Sequence, residues 1–260
     1  MALVGAGGVA EIVLSIDGTL SKRSFAGAVL AADLGVAPGD SAPSLITVAK
    51  VGSGREWRST GLASGVTRVF KTTKGKGSPV TGCYTQSTYT AASFLPSGVK
   101  STLSLHTASK DLAVKLPVGV VRVQCGTPVN GESTVLSLVK NSKRKTLNVI
   151  AKIGAKQIFS SAVLDKKLAQ AGMLLGVLPR AAGEAPTAMI LAKRGNAREL
   201  LVRDKGNKWQ TIAMPGVPAG TTPTGFVGVR KGATSYVVVQ LTDPAKATSY
   251  LAVAVPAGYL

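Results

Sequence analysis

The side chains of this sequence that can do chemistry are overwhelmingly cationic. Its 260 residues carry 31 Lys and Arg against 12 Asp and Glu, a formal charge of +19 at pH 7. Such an excess repels itself and costs stability, so a chain that keeps it meets a polyanion, either a nucleic acid or an acidic membrane surface. The densest cationic clusters are Lys140, Lys143, Arg144 and Lys145, followed by Lys193, Arg194 and Arg198. A third cluster, Lys71, Lys74 and Lys76, is interleaved with Gly75 and Gly77, which suits a loop presenting ammonium groups and backbone N–H donors to phosphates. Contacts of this kind fall on the backbone of a nucleic acid and carry little base specificity.

Other chemistry is poorly supplied. His106 is the one histidine, in the strand-like stretch Ser104-Leu105-His106-Thr107 with no acidic residue beside it, and is expected to be structural. The twelve carboxylates are scattered, with neither the spacing of a metal-binding loop nor the context of a glycosidase pair. Gly5 to Gly8 and the 74–78 segment lack the spacing of a nucleotide-phosphate cradle. Cys83 and Cys125 are too few for a disulfide framework or a four-ligand zinc site, and two buried thiols in a reducing compartment are the expected reading, with the pairing of the two left open by the sequence. With five Phe, five Tyr and two Trp, a base-stacking platform is thin; Trp57, Tyr84, Tyr89 and Trp209 are the aromatics near basic neighbours. No catalytic residue, metal or cofactor is expected.

The elements that must position the cations are strands. Short β-rich segments bounded by Gly, Pro, Ser or Asn occur at 11–16, 44–51, 66–72, 81–91, 100–107, 112–116 and 118–125, then at 134–140, 146–153, 188–193, 198–204, 209–214, 226–230, 236–241 and 250–255. The expected fold is all-β, mostly antiparallel, a β-sandwich or barrel-like body of many hairpins with one or two short helices. The helices are placed at 161–178, on a roughly helical stripe of Val163, Leu164, Leu168, Ala171 and Leu175, and at 24–34. Three loosely similar hairpin units begin near Thr134, Ala188 and Phe226, but unequal intervals and the lack of a recurring motif argue against fixed-period blades.

Turn residues mark hairpin tips at Asn141-Ser142, Gly195-Asn196, Lys205-Gly206-Asn207 and Lys231-Gly232-Ala233. Basic residues gather at each, so tips running side by side would make one basic rim. The Gly/Pro-rich stretch 126–132 divides a β-rich domain over 1–127 from a more basic one over 132–260, or forms a surface loop of a single domain. Residues 1–130 hold 13 basic and 6 acidic residues, and residues 131–260 hold 18 and 6.

With 45% hydrophobic residues and a mean hydropathy of +0.26, the chain is set to fold and carries its charge without a polar tail. Residues 1–10 have no basic leader, and the longest apolar run, near 171–178, is far short of the ~20 residues of a spanning helix. A protein that is neither secreted nor membrane-spanning is expected, in a virion or the host cytoplasm. The class that accounts for all this is a non-enzymatic capsid or nucleocapsid subunit that self-associates and contacts nucleic acid. A matrix-like protein on acidic membranes and a cellular RNA-associated or ribosomal protein are the alternatives.

Overall fold

The computed structural model of the chain describes all residues except 1, 5–9, 17–18, 26–28, 75–76, 97–100, 130, 142–145, 154, 164–167, 182–183, 195–196 and 246. The described residues are built almost wholly of antiparallel strands, and the chain divides into two compact units. Unit 1 comprises residues 1–118 and 130–133, and unit 2 comprises residues 119–129 and 134–260. Most of the 126–132 stretch is strand, one ending at Val129 and the next starting at Glu132.

Unit 1 begins with β1 (Ala2–Val4), β2 (Ala10–Ile16) and β3 (Thr19–Phe25), ordered β1-β2-β3. A second sheet runs β4 (Ala31–Gly35), β5 (Ser44–Val51), β6 (Gly54–Gly61) and β7 (Thr67–Lys74) in chain order. The third uses β8 (Ser78–Val80), β11 (Ala91–Leu95), β12 (Thr102–His106) and β13 (Asp111–Lys115) in the order β13-β12-β11-β8, while β9 (Tyr84–Thr85) and β10 (Thr88–Tyr89) form a small hairpin. β12 shows the physics of a one-sided strand: Leu103 and Leu105 are buried, and Thr102, Ser104 and His106, which alternate with them, are only partly buried.

Unit 2 holds most of β14 (Val120–Val129) and β15 (Glu132–Asn141), with β16 (Thr146–Ile153) and β17 (Lys156–Val163). Next come β18 (Leu168–Leu178), β19 (Thr187–Arg194), β20 (Ala197–Arg203) and β21 (Trp209–Ile212), and last β22 (Thr222–Lys231), β23 (Thr234–Thr242) and β24 (Thr248–Ala254). Each group is an up-and-down meander in chain order. The first strands of successive meanders touch, β14 with β18 and β18 with β22, as in the blades of a β-propeller.

The stacking follows from the sequence of the middle sheet. In β19, Ala188, Ile190 and Ala192 join the core shared with β15–β17, whereas Met189 faces a second core shared with β23 and β24. A strand covered on both faces reads as an unbroken apolar run, which is what residues 188–192 are. Two glycines let the sheets approach. A Cβ on Gly228 would lie 2.5 Å from the Val177 carbonyl oxygen, and one on Gly126 would strike the Val177 side chain.

The all-β expectation holds, but its helices do not. Residues 161–178 contain the end of β17 and all of β18, and residues 24–34 contain the end of β3 and most of β4. The helix-like spacing over 161–178 arises because β18 carries a register irregularity between Ala169 and Leu174, so its buried positions do not keep a strict alternation. Among the described residues, the helical element is the single 3-10 turn Ala257–Tyr259. The hairpin units placed at Thr134 and Ala188 start one strand late, because each meander opens on the neighbouring β14 or β18.

The cysteines are a second correction. Cys83 and Cys125 are buried, as expected, but they are disulfide-bonded rather than free thiols.

Candidate polyanion-binding surface

Lys140 is exposed near the end of β15, opposite Leu147 of β16. Its backbone N–H is held by the Gly119 carbonyl at 2.9 Å, leaving the ammonium as the exposed part. Lys143, Arg144 and Lys145 lie outside the described residues, between Asn141 and Thr146, which pair across the hairpin. Lys193 is exposed at the corresponding end of β19 and stands directly opposite Arg198 of β20. Arg194 pairs with Ala197 in the same ladder, and Arg198 is half-buried with a bonding partner of its own. Two like charges opposed across a ladder destabilise it, so the Lys193–Arg198 register is a local cost.

The first-half cluster is divided. Lys71 and Lys74 lie on opposite faces of β7. Lys74 is exposed, whereas the Lys71 ammonium donates to the Thr107 carbonyl at 2.8 Å and lines a cavity of about 380 Å³ with Phe70, Tyr89 and His106. Lys76 lies outside the described residues.

Nor do the tips make one rim. Consecutive turns of an antiparallel meander alternate between its two ends, so the β19–β20 turn beside Lys193 and the β20–β21 turn at Lys205 and Lys208 are separated by the length of β20, about 20 Å. The second end gathers other turns: Ser235, just after the β22–β23 turn, donates its hydroxyl to the Pro179 carbonyl at 2.7 Å. Arg180, Lys205, Lys208, Arg230 and Lys231 therefore belong to one end of these two sheets, and Lys193, Arg194 and Arg198 to the other.

Two polar constellations in unit 1 escaped the sequence reading. The first is a relay on one face of the third sheet: Asp111 Oδ2 lies 3.0 Å from His106 Nδ1, and His106 Nε2 lies 2.8 Å from the Ser93 hydroxyl. A carboxylate only accepts, so in the neutral ring Nδ1 carries the proton and Nε2 accepts from Ser93. This is the order of groups in a nucleophilic triad. However, Ser93 sits inside β11, paired with Ser104 on one side and Pro79 on the other, so the nearby backbone N–H groups are committed to ladders rather than to a developing oxyanion. The signal that reveals it is register: the β12–β13 hairpin sets His106 directly opposite Asp111.

The second constellation surrounds the buried Tyr89. Asp33 accepts from its neighbour Leu34 N–H at 2.8 Å and from the Tyr89 hydroxyl at 3.5 Å, and Tyr89 also accepts the Gly82 N–H at 3.2 Å. Burial pushes the Asp33 carboxyl up to about 6, against the lowering effect of those hydrogen bonds. Burial, and next the Asp33 charge, push Tyr84 up to about 12 and Tyr89 well above its ordinary value.

Among the described residues, no cluster of three His, Cys, Asp or Glu is placed to hold a metal ion, and no helix is long and apolar enough to cross a membrane. Neither family models nor curated proteins give a match to this sequence.

Proposed function

We propose that this chain is a non-enzymatic structural subunit of a virion, of capsid or nucleocapsid type, that associates with copies of itself and neutralises nucleic acid through its backbone phosphates. The observation that carries the reading is where the charge resides. Unit 2 holds 19 basic and 5 acidic residues, so it supplies +14 of the +19. It does so on a frame of dry, stacked meanders whose exposed strand ends present Lys140 and Lys193. Holding Lys193 opposite Arg198 costs stability in the free protein, and a polyanion laid across that end offsets it. The disulfide suits a particle that spends time outside a reducing cytosol.

The test is binding of single-stranded homopolymers over a range of salt, together with light scattering of the purified chain. Affinity should fall steeply with salt and hardly vary with base identity. Reversing the charge at Lys143, Arg144 and Lys145 together should reduce the log–log slope by about 2. Assemblies larger than a dimer complete the picture. A salt-independent or undetectable interaction sinks the nucleic-acid reading, and salt-dependent capture by phosphatidylserine vesicles instead would transfer the same cations to a membrane.

A further inference from the structure

The residue in unit 2 that conforms least to its surroundings is Arg203. It ends β20, where Leu201 faces the core shared with β15–β17, and the strand period turns Arg203 to that same face. It is only 7% exposed. Its guanidinium carbon stacks 3.8 Å from the centre of the Phe159 ring, its carbonyl accepts the Thr187 hydroxyl at 2.9 Å, and Trp209 is its cross-strand neighbour. Arg180 stands two residues beyond Leu178, which pairs with Thr187, so it emerges at the same end of the sheet.

These groups share an anomaly. Arg203 Nε, Arg180 Nε, one terminal nitrogen of Arg180 and the Trp209 indole nitrogen are all buried with no hydrogen-bond acceptor among the described residues. The adjacent carboxylate is spent elsewhere: Asp204 accepts from Lys208 N–H at 2.9 Å and from the Gln210 side-chain amide at 2.7 Å, closing its own turn. Burial, and next the positive charge of Arg180, lower the Arg203 pKa, which expresses the same lack of compensation. Orphaned buried donors cost about 1–3 kcal/mol each and more when charged, so folds rarely retain several in one place without a use.

We propose that Arg203, Arg180 and the Trp209 indole N–H form a binding site for a single phosphate group. The unpaired donors are N–H groups that need acceptors, and two guanidinium charges need more than one negative charge. A phosphate meets both demands, with oxygens disposed tetrahedrally and up to two charges, whereas a carboxylate offers two coplanar oxygens and one charge. The Phe159 ring holds the Arg203 fork in one plane, which lowers the ordering cost of binding. The half-buried Arg180 is the outer member. The proposal deepens the polyanion reading and rests on it only for the source of the phosphate, a nucleic-acid strand or a free phosphate compound.

The experiment titrates inorganic phosphate into the full, disulfide-bonded chain at constant ionic strength, with chloride as the exchanged anion, following heat of binding and the phosphorus resonance. Saturable binding of one phosphate per chain is expected. Arg180→Gln should weaken it by about tenfold or more, and Arg203→Lys, which keeps the charge but loses the fork, should do the same. Arg180→Gln guards against an unfolded Arg203 variant, and unchanged circular dichroism of both certifies the comparison. No saturable binding by the natural chain, or full binding by Arg180→Gln, overturns the site.

Competition then identifies the source. Displacement of phosphate by an oligonucleotide with or without a terminal phosphate assigns the site to the strand backbone. Displacement only by the 5′-phosphorylated form assigns it to a terminal phosphate, and displacement by neither assigns it to free phosphate compounds. Homopolymer binding that fails while phosphate still binds would defeat the polyanion reading and leave this site standing.

Discussion

Units 1 and 2 are built from the same element, the antiparallel meander, yet they differ in how their cationic side chains are matched. Unit 1 pairs several of its charged groups internally: Asp33 is bonded to Leu34 and Tyr89, His106 uses both ring nitrogens, Lys71 reaches Thr107, and Arg58 and Arg68 pair with Glu56 and Asp40, while its buried atoms without a hydrogen-bond partner among the described residues include the Trp57 indole nitrogen and the Thr85 hydroxyl. Unit 2 has the drier interior, with sheets stacked through Leu136, Val149, Ile190, Leu200, Val237 and Val239, and keeps its cations at strand ends or, at Arg203, without an acceptor. Unit 2 combines a charge of +14 with buried guanidinium nitrogens at Arg180 and Arg203 that have no acceptor among the described residues.

The comparison breaks most directly at the stacking of unit 2. Gly228 lies where a Cβ would stand 2.5 Å from the Val177 carbonyl oxygen and 2.9 Å from Leu178 Cα, both backbone atoms that cannot turn aside. Gly228→Val should therefore cost about 3 kcal/mol or more, measured as a shift in the denaturant midpoint. A loss below about 1 kcal/mol would mean that β18 and β22 are not pressed together and that the dry interface of unit 2 is looser than described.

Unit 1 should show its contrasting character as pH dependence. The folded state holds the Asp33 proton more tightly than the unfolded chain does, up to about 6 against 3.8. The associated stability is present in full below pH 3.8 and is lost as pH rises through 6, the reverse of a salt-bridged carboxylate. Asp33→Asn keeps an acceptor for Leu34 N–H and removes the titration. It should gain about 1–3 kcal/mol over the natural chain at pH 7.5 and little at pH 3.5. An equal difference at both pH values would show that the carboxyl is not buried in the charged form and would dissolve the contrast with unit 2.

How much of this was legible beforehand depended on whether a signal was local. The limits of β5 and β16 could be read directly, because each is a β-branched and apolar run cut off by turn residues. β18 does not read as a strand because an irregularity inside it mixes two periods, so that Leu168, Ala171 and Leu175 continue a helix-like spacing from Val163 of β17. The exposed ends bearing Lys140 and Lys193 were found from turn chemistry alone. Their alternation between two ends of a sheet was not, although it follows once strand order is known. Ser93, His106 and Asp111 come from three neighbouring strands and meet only through register, a property of the pairing rather than of any one segment. Arg203 carries a local signal: a cation following Leu200, Leu201 and Val202 continues a buried run and so faces inward.

The smallest effect separates the two units most clearly, because its sign is reversed. In unit 1, removing a charged partner removes an interaction the fold has made, as at Arg68, which donates to both Asp40 and the Pro38 carbonyl. In unit 2, Lys193 faces Arg198 across the ladder, so removing its charge relieves a repulsion. Lys193→Thr, which also places a β-branched residue in a strand, should raise stability by about 0.2–1 kcal/mol. The same change should weaken homopolymer binding and lower the salt slope by about 0.7, the contribution of one phosphate contact on a single strand. A variant at once more stable and less able to bind marks a residue kept for its partner rather than for the fold. If Lys193→Thr lost stability and bound as well as before, the Lys193 charge would be serving the sheet, and unit 2 would differ from unit 1 in composition only.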